Sequence, residues 1–211
     1  MMTLGFNRRH MLTLLALGGT AALAGCGGEQ WQTEYQPAGP SAKNWSLAGV
    51  DVIVPPTLTV SEDNSVYVPK ADIVWQAEAA GDRRAQVSRI LQEGIAAGAR
   101  GLKGSRRVRF RVTLETFHAL NIKSRKSAPK GTGVHDIRYL IEVVDAASGA
   151  VLVPAQRIAA DFPAYTGAEA VAAEARGETQ RVRIVAHLAA TTAGWLGLGP
   201  DNRTTFSRMG G

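Results

Sequence analysis

Polar and apolar residues alternate without a break from Arg107 to Leu114. Val108, Phe110, Val112 and Leu114 fall on one face of the predicted strand, and Arg107, Arg109, Arg111 and Thr113 fall on the other. Two further segments carry the same period. Leu47 to Val54 places Val50, Val52 and Val54 together, and Ile137 to Val144 groups Ile137, Tyr139, Ile141 and Val143. "DAASGA" is a turn, after which Val151 to Val153 begin a return strand that runs to about Phe162. Val66 to Val68 and Ile73 to Trp75 are short extended runs separated by Pro69.

Helical spacing replaces the two-residue period at Gly81-Asp82, with Asp82 the candidate N-cap. Val87, Ile90, Leu91, Ile95, Ala99 and Leu102 then form an inward face, weakened in its last turns by Gly94 and Gly98. Gly167 to Arg176 is alanine-rich and helical in propensity, and Gly177 interrupts it. Glu178 to Leu196 reads as a longer helix with Val182, Val185, Ala189 and Leu196 inward.

This order predicts an α+β fold: a mainly antiparallel sheet, wet on one side, with two or three helices packed on the other. The domain is expected over residues 46–198. A flexible tether over 26–45 should precede it, carrying Trp31, Tyr35, Pro37 and Pro40, and a flexible tail over 199–211 should follow.

The N-terminus reads as a targeting segment, residues 1–25. Arg8-Arg9 supply the positive charge, and the apolar stretch Met11 to Ala22 is too short to span a bilayer, which takes roughly 20 apolar residues. Leu23-Ala24-Gly25-Cys26 resembles the bacterial lipobox, which implies cleavage before Cys26 and acylation of its thiol. Cys26 is the only cysteine in the chain, so the mature protein has no internal disulfide. "NRRHMLTL" resembles a twin-arginine export signal, and a general secretory signal with two arginines fits equally well. Gly27 is not the aspartate that retains many lipoproteins at the inner membrane, which favours the periplasmic face of the outer membrane.

Charge changes the picture in one region. The 211-residue chain carries +6, but ten of its lysines and arginines lie between Arg100 and Lys130 with one acid, Glu115. Arg107, Arg109 and Arg111 should line the outer strand face, and the loop "NIKSRKSAPKGTG" adds Lys123, Arg125, Lys126 and Lys130. Such a field favours an anionic envelope component or an acidic partner, such as a protein of a transport complex. Nucleic acid is not expected as a partner of an exported domain. The bland alternative is a solvated face with cross-strand pairs, for instance Arg109 or Arg111 against Glu142.

Asp72-Ile73-Val74-Trp75, Gly81-Asp82-Arg83 and Gln86-Val87 resemble an alphaproteobacterial lipoprotein family of unknown function. The resemblance covers most of the mature chain and implies a lipoprotein but no activity. The strand and helix order is also similar to small auxiliary lipoproteins of envelope transport systems, in topology alone.

No residue set announces catalysis. There is no nucleophile elbow, no Walker spacing in "GLKGSRR" and no paired-histidine metal motif. His118 and His135 flank one loop and could meet Asp136, although two surface histidines at strand ends explain them as well. Asp72, Asp82 and Arg83 read as a capped helix start with Arg83 the ion-pair partner of Asp82, and Glu62-Asp63 as a solvated turn. The expectation is a non-enzymatic protein without cofactor or metal, anchored to membrane lipid through Cys26.

Overall fold

A computed structural model describes residues 30–208. The predicted signal segment 1–25, Cys26 and the last three residues lie outside the described residues. Among those described, four α-helices accompany nine strands joined in one mostly antiparallel sheet, the α+β architecture that the sequence predicts.

The alternating segment is the longest strand of the sheet. Numbering elements in chain order, it is β5 (Arg106–His118), and β6 (Val134–Asp145) pairs antiparallel along it. Val108, Phe110, Val112 and Leu114 are all buried, with Ile137, Tyr139, Ile141 and Val143 of β6 beside them. β7 (Val151–Ala160) returns along β6. Asp145 fixes that turn: its carboxylate accepts from the backbone N–H groups of Ala147 and Ser148, and Gly149 takes φ 74°.

On the other edge of β5 the pairing is parallel. β2 (Trp45–Ile53) runs alongside Arg106 to Thr113, and the two-residue β4 (Ile73–Val74) continues at Phe117 and His118, with β3 (Val60–Ser61) outside it. Parallel neighbours need a crossover, and helix α1 (Arg83–Gly98) supplies it. Asp82 caps α1, accepting from Ala85 N at 3.1 Å. Arg83 is not its ion-pair partner. The Arg83 guanidinium is buried and donates to Glu62, to the carbonyls of Glu78 and Ala79, and to Gln86. Asp72 is also elsewhere, accepting from the backbone and hydroxyl of Thr59 at 2.7 Å each. Arg83 therefore ties the "SEDNS" turn to the helix start, and Glu62 is a partner instead of a free surface acid.

Helix α4 (Gln180–Leu196) packs against α1 over the apolar sheet face, where Trp195 meets Phe110 edge-on at 5.5 Å. Its buried stripe is Ile184, Leu188, Thr191, Thr192, Trp195 and Leu196. Val182 is half exposed, so the predicted inward face is rotated. The cause is visible at the helix start: Gln180 exchanges hydrogen bonds with both backbone groups of Leu120, which sets the phase of everything after it.

Gly94 and Gly98 do not weaken α1 but let α4 come close. A Cβ on Gly94 would stand 2.6 Å from Leu188 Cβ, and one on Gly98 would stand 2.7 Å from Thr192 Cβ and strike the carbonyl of Ala189.

Both segments expected to be flexible are ordered where they are described. β1 (Gln30–Glu34) pairs with β7 and with β9 (Thr204–Ser207), so tether and tail join in the sheet. Tyr35 is buried, and its hydroxyl donates to Asp201 and accepts from Asn202 N, both at 3.0 Å. Pro40–Asn44 form a single 3₁₀ turn with Ala42 buried, and Trp45 beyond it lies in the core. The basic loop is likewise ordered in its first half as helix α2 (Ile122–Ser127), and the alanine-rich segment is α3 (Gly167–Ala175). The remaining pair is β8 (Phe162–Pro163) against Val134 and His135.

Gly98→Ala is expected to lower the unfolding free energy by about 2 kcal/mol, because overpacking against a backbone carbonyl outweighs the gain in helix propensity. Chemical denaturation checks it, with Gly101→Ala, beyond the helix end, as the control.

Candidate binding cavity and the basic face

The alternation of β5 breaks once. A bulge between Leu114 and Thr116 shifts its phase, so Phe117 takes the inward position and is fully buried. His118 is thereby turned out of the core. It stands opposite Asp136 in the β5–β6 register, and both line a cavity of about 680 Å³. That volume lies within the usual range of small-molecule sites, about 300 to 1,000 Å³.

The walls come from four places in the sequence. Trp31 of β1 and Arg208 lie on one side. Tyr67 and Val68 form a lip from the loop after β3. Ala119, Leu120 and Ser124 come from the end of β5 and α2, and Ala128, Pro129, Thr132, Gly133 and Val134 complete the lining. Short polar bonds hold the lip to α2. Asn121 caps Ser124 and also donates to the carbonyls of Asp63 and Val66. The Ser124 hydroxyl donates to the Tyr67 carbonyl, and Lys123 donates to the Ser65 carbonyl while lying over the Tyr67 ring.

Ser124, His118 and Asp136 thus share one cavity, yet they do not form a catalytic relay. The Ser124 proton goes to the Tyr67 carbonyl. His118 Nε2 sits 2.9 Å from the Pro69 carbonyl, which can only accept, so that nitrogen carries the proton. Asp136 is held by Arg138 at 3.0 Å. Burial lowers the His118 pKa below its ordinary value and keeps the ring neutral.

His135 is separated from this set. As the strand neighbour of Asp136 it points the other way, fully buried against the Phe162 ring at 4.7 Å. The reading of His118 and His135 as surface histidines fails for both, and no group of three or more His, Cys, Asp or Glu among the described residues could hold a metal ion. Phe162 also stacks on His187 at 4.2 Å, and the Arg183 guanidinium lies 5.5 Å over the Phe162 ring. Burial first, and Arg183 second, push the pKa of His135 far below its usual range and that of His187 down to about 4. Thr33 uses its hydroxyl proton on the Asp161 carbonyl, so its contact with His187 Nε2 at 3.1 Å is donated by the imidazole.

The basic strand face is largely neutralised within the molecule. Arg109 makes a two-pronged ion pair with Asp51 of β2, and Arg111 reaches Glu142 at 3.3 Å. Arg106 pairs with Asp145, and Arg157 with Glu115. Arg125, in the predicted binding loop, pairs with Glu174 of α3. Arg107 forms no ion pair among the described residues, and neither do Lys126 and Lys130, which stay exposed. The sequence signal for Asp51 was present in its odd position between Val50 and Val52, but only the parallel β2–β5 pairing aims it at Arg109. The cavity had no signal: its lining is scattered from Trp31 to Arg208.

Residues 45–211 match a family of unknown function, DUF6778, and the chain belongs to that family. No curated protein matches it in sequence. Among solved structures it is similar to a Caulobacter crescentus CB15 protein provisionally described as a lipoprotein. Identity is 16%, with 57% of this chain and 88% of that one covered and a TM-score of 0.33. It is also similar to the PelC dodecamer from Paraburkholderia phytofirmans, at 12% identity, 79% and 96% coverage and a TM-score of 0.31. Likeness this distant carries no argument about role.

The histidine stack generates a pH dependence. Folded His187 takes its proton near pH 4 and the unfolded residue near its ordinary value of about 6.5. Above that value the group contributes nothing to the pH dependence. As pH falls from about 6.5 to 4 the unfolded chain binds the proton first, so stability is lost. The stability difference between wild type and His187→Gln should therefore shrink between pH 7 and pH 4, by at most about 3 kcal/mol. Urea unfolding at the two pH values measures it.

Proposed function

We propose that this protein is a lipid-anchored component of the bacterial cell envelope that binds its ligand in the cavity beneath the Tyr67–Val68 lip. The observation that carries the anchor is the Leu23-Ala24-Gly25-Cys26 motif lying four residues before the first sheet residue, Gln30. Four residues span at most about 14 Å. A domain held at that distance does not stand off on a long tether. It works against the membrane surface, on the periplasmic face of the outer membrane by the reading of Gly27.

The cavity displaces the basic strand face as the preferred site. Arg109 and Arg111 are already engaged by Asp51 and Glu142, and such exposed pairs contribute modestly to stability without leaving charge for a partner. The role is non-enzymatic in this reading, since Ser124 and His118 spend their hydrogen bonds on the loop that forms the lip. A second reading, an accessory subunit of an envelope lipid-transport complex, is favoured by the apolar character of Tyr67, Val68, Ala119, Leu120 and Val134 around the cavity.

Metabolic labelling with palmitate should mark the wild-type protein and leave Cys26→Ala unlabelled, and the variant should leave the membrane fraction. Equal mass and equal fractionation of the two would contradict the anchor.

A further inference from the structure

We infer that the cavity takes an acyl chain of an anionic phospholipid from the membrane to which the protein is anchored, and that its lip dips into that membrane. The inference rests on the cavity being the binding site and adds the ligand and the way it enters.

Three observations converge on the mouth. The first is apolar exposure: Val66, Tyr67, Val68 and Ile122 are 43%, 46%, 70% and 39% exposed on adjoining segments. Asn121 and Ser124 bond the Val66 and Tyr67 carbonyls, so the lip is a fixed edge on α2 and not a loose loop. An aromatic ring with valines at its sides, held rigidly with the Lys123 ammonium over it, has the composition of an interfacial membrane contact.

The second is charge. Lys70 follows the lip in sequence, Lys123 lies over Tyr67, and exposed Lys126 and Lys130 belong to the same segment as the lining residues Ser124, Ala128, Pro129 and Thr132. Among the described residues neither Lys126 nor Lys130 forms an ion pair, unlike Arg109 and Arg111 of the strand face. The lining carboxylate, Asp136, is occupied by Arg138. An anionic headgroup therefore meets lysines at the mouth and no free acid behind them.

The third is inside. The indole N–H of Trp31 and the Nε–H of Arg208, both in residues that line the cavity, are buried without hydrogen-bond partners among the described residues. Both groups only donate, so each calls for an acceptor that the described residues do not give it. The ester and phosphate oxygens of a phospholipid are acceptors, and the acyl chain suits the apolar remainder. Trp31 stands five residues after Cys26, at most about 18 Å along the chain, so the cavity can reach the bilayer that holds the anchor.

Trp31 is also the natural reporter, because Trp45, Trp75 and Trp195 are at most 2% exposed in the core. The acylated full-length protein would be reconstituted into phosphatidylglycerol vesicles whose acyl chains carry bromine, which quenches indole fluorescence on contact. The Trp31→Phe variant isolates the Trp31 signal. The protein's own acyl chains carry no bromine, so quenching reports bilayer lipid alone. Trp31 should be quenched strongly. Filling the cavity with Ala128→Phe should abolish most of that quenching, as should Val68→Asp at the exposed lip, which leaves the core untouched. The soluble Cys26→Ala protein should bind the same vesicles about fivefold more weakly for each of Lys126 and Lys130 removed, and should prefer phosphatidylglycerol to phosphatidylcholine.

Unquenched Trp31 in a protein shown by flotation to be anchored overturns the proposal. So does quenching that survives both Ala128→Phe and Val68→Asp, because Trp31 would then only touch the surface. Quenching seen in Cys26→Ala but absent from the acylated protein also overturns it, since the protein's own acyl chain would then fill the cavity. Intact mass of the acylated sample reads the anchor separately, so a missing anchor and an empty cavity give different results.

Discussion

One backbone irregularity governs the cavity end of this molecule, the bulge in β5 between Leu114 and Thr116. Up to Leu114 the strand obeys its two-residue period, with the core on one side and the arginines on the other. Had that period continued, His118 would face the core. The extra residue puts Phe117 there instead, edge-on to Trp75 at 5.8 Å. The outward turn of His118 then lets it hold the Pro69 carbonyl, at the base of the loop whose Tyr67 and Val68 form the lip of the cavity. Sheet pairing, loop position and cavity wall are thus one coupled set.

Elements with a strong local period were legible in the sequence. β5, β6 and the inward face of α1 follow from alternation and helical spacing, because each buries a continuous apolar stripe, whereas the start of β7 was read from its turn and exposes Val151. What could not be read is what distant segments do to one another. Gln30–Glu34 has no apolar period of its own, and Thr204–Ser207 has none either. They become strands by pairing across most of the chain length, with Tyr35 fastening the second segment through Asp201 and Asn202. The same blindness misplaced Val182, since the phase of α4 is set by Gln180 reaching Leu120, a contact 60 residues away in sequence.

The basic segment illustrates why a charge count along a window misleads. Ten cations against one acid is a true description of residues 100–130, but a sheet mixes windows. Asp51, Glu142 and Asp145 arrive from neighbouring strands and Glu174 from a helix, and between them they occupy Arg109, Arg111, Arg106 and Arg125. Among the described residues the candidate cations left without an ion pair include Arg107 on the strand face and Lys126 and Lys130 in and after α2. The candidate residues Arg107, Lys126 and Lys130 stay exposed, while Arg109, Arg111 and Arg125 are paired within the molecule.

The most direct measurement of the central claim is native mass spectrometry of the soluble Cys26→Ala protein after incubation with envelope membranes and separation from them, followed by mass analysis of whatever it carries. Without the acylated cysteine, any bound acyl chain must come from a separate lipid. The account predicts one phospholipid with an anionic headgroup per chain, lost from the Ala128→Phe variant. A bare protein mass, or a lipid retained when the cavity is filled, would contradict it.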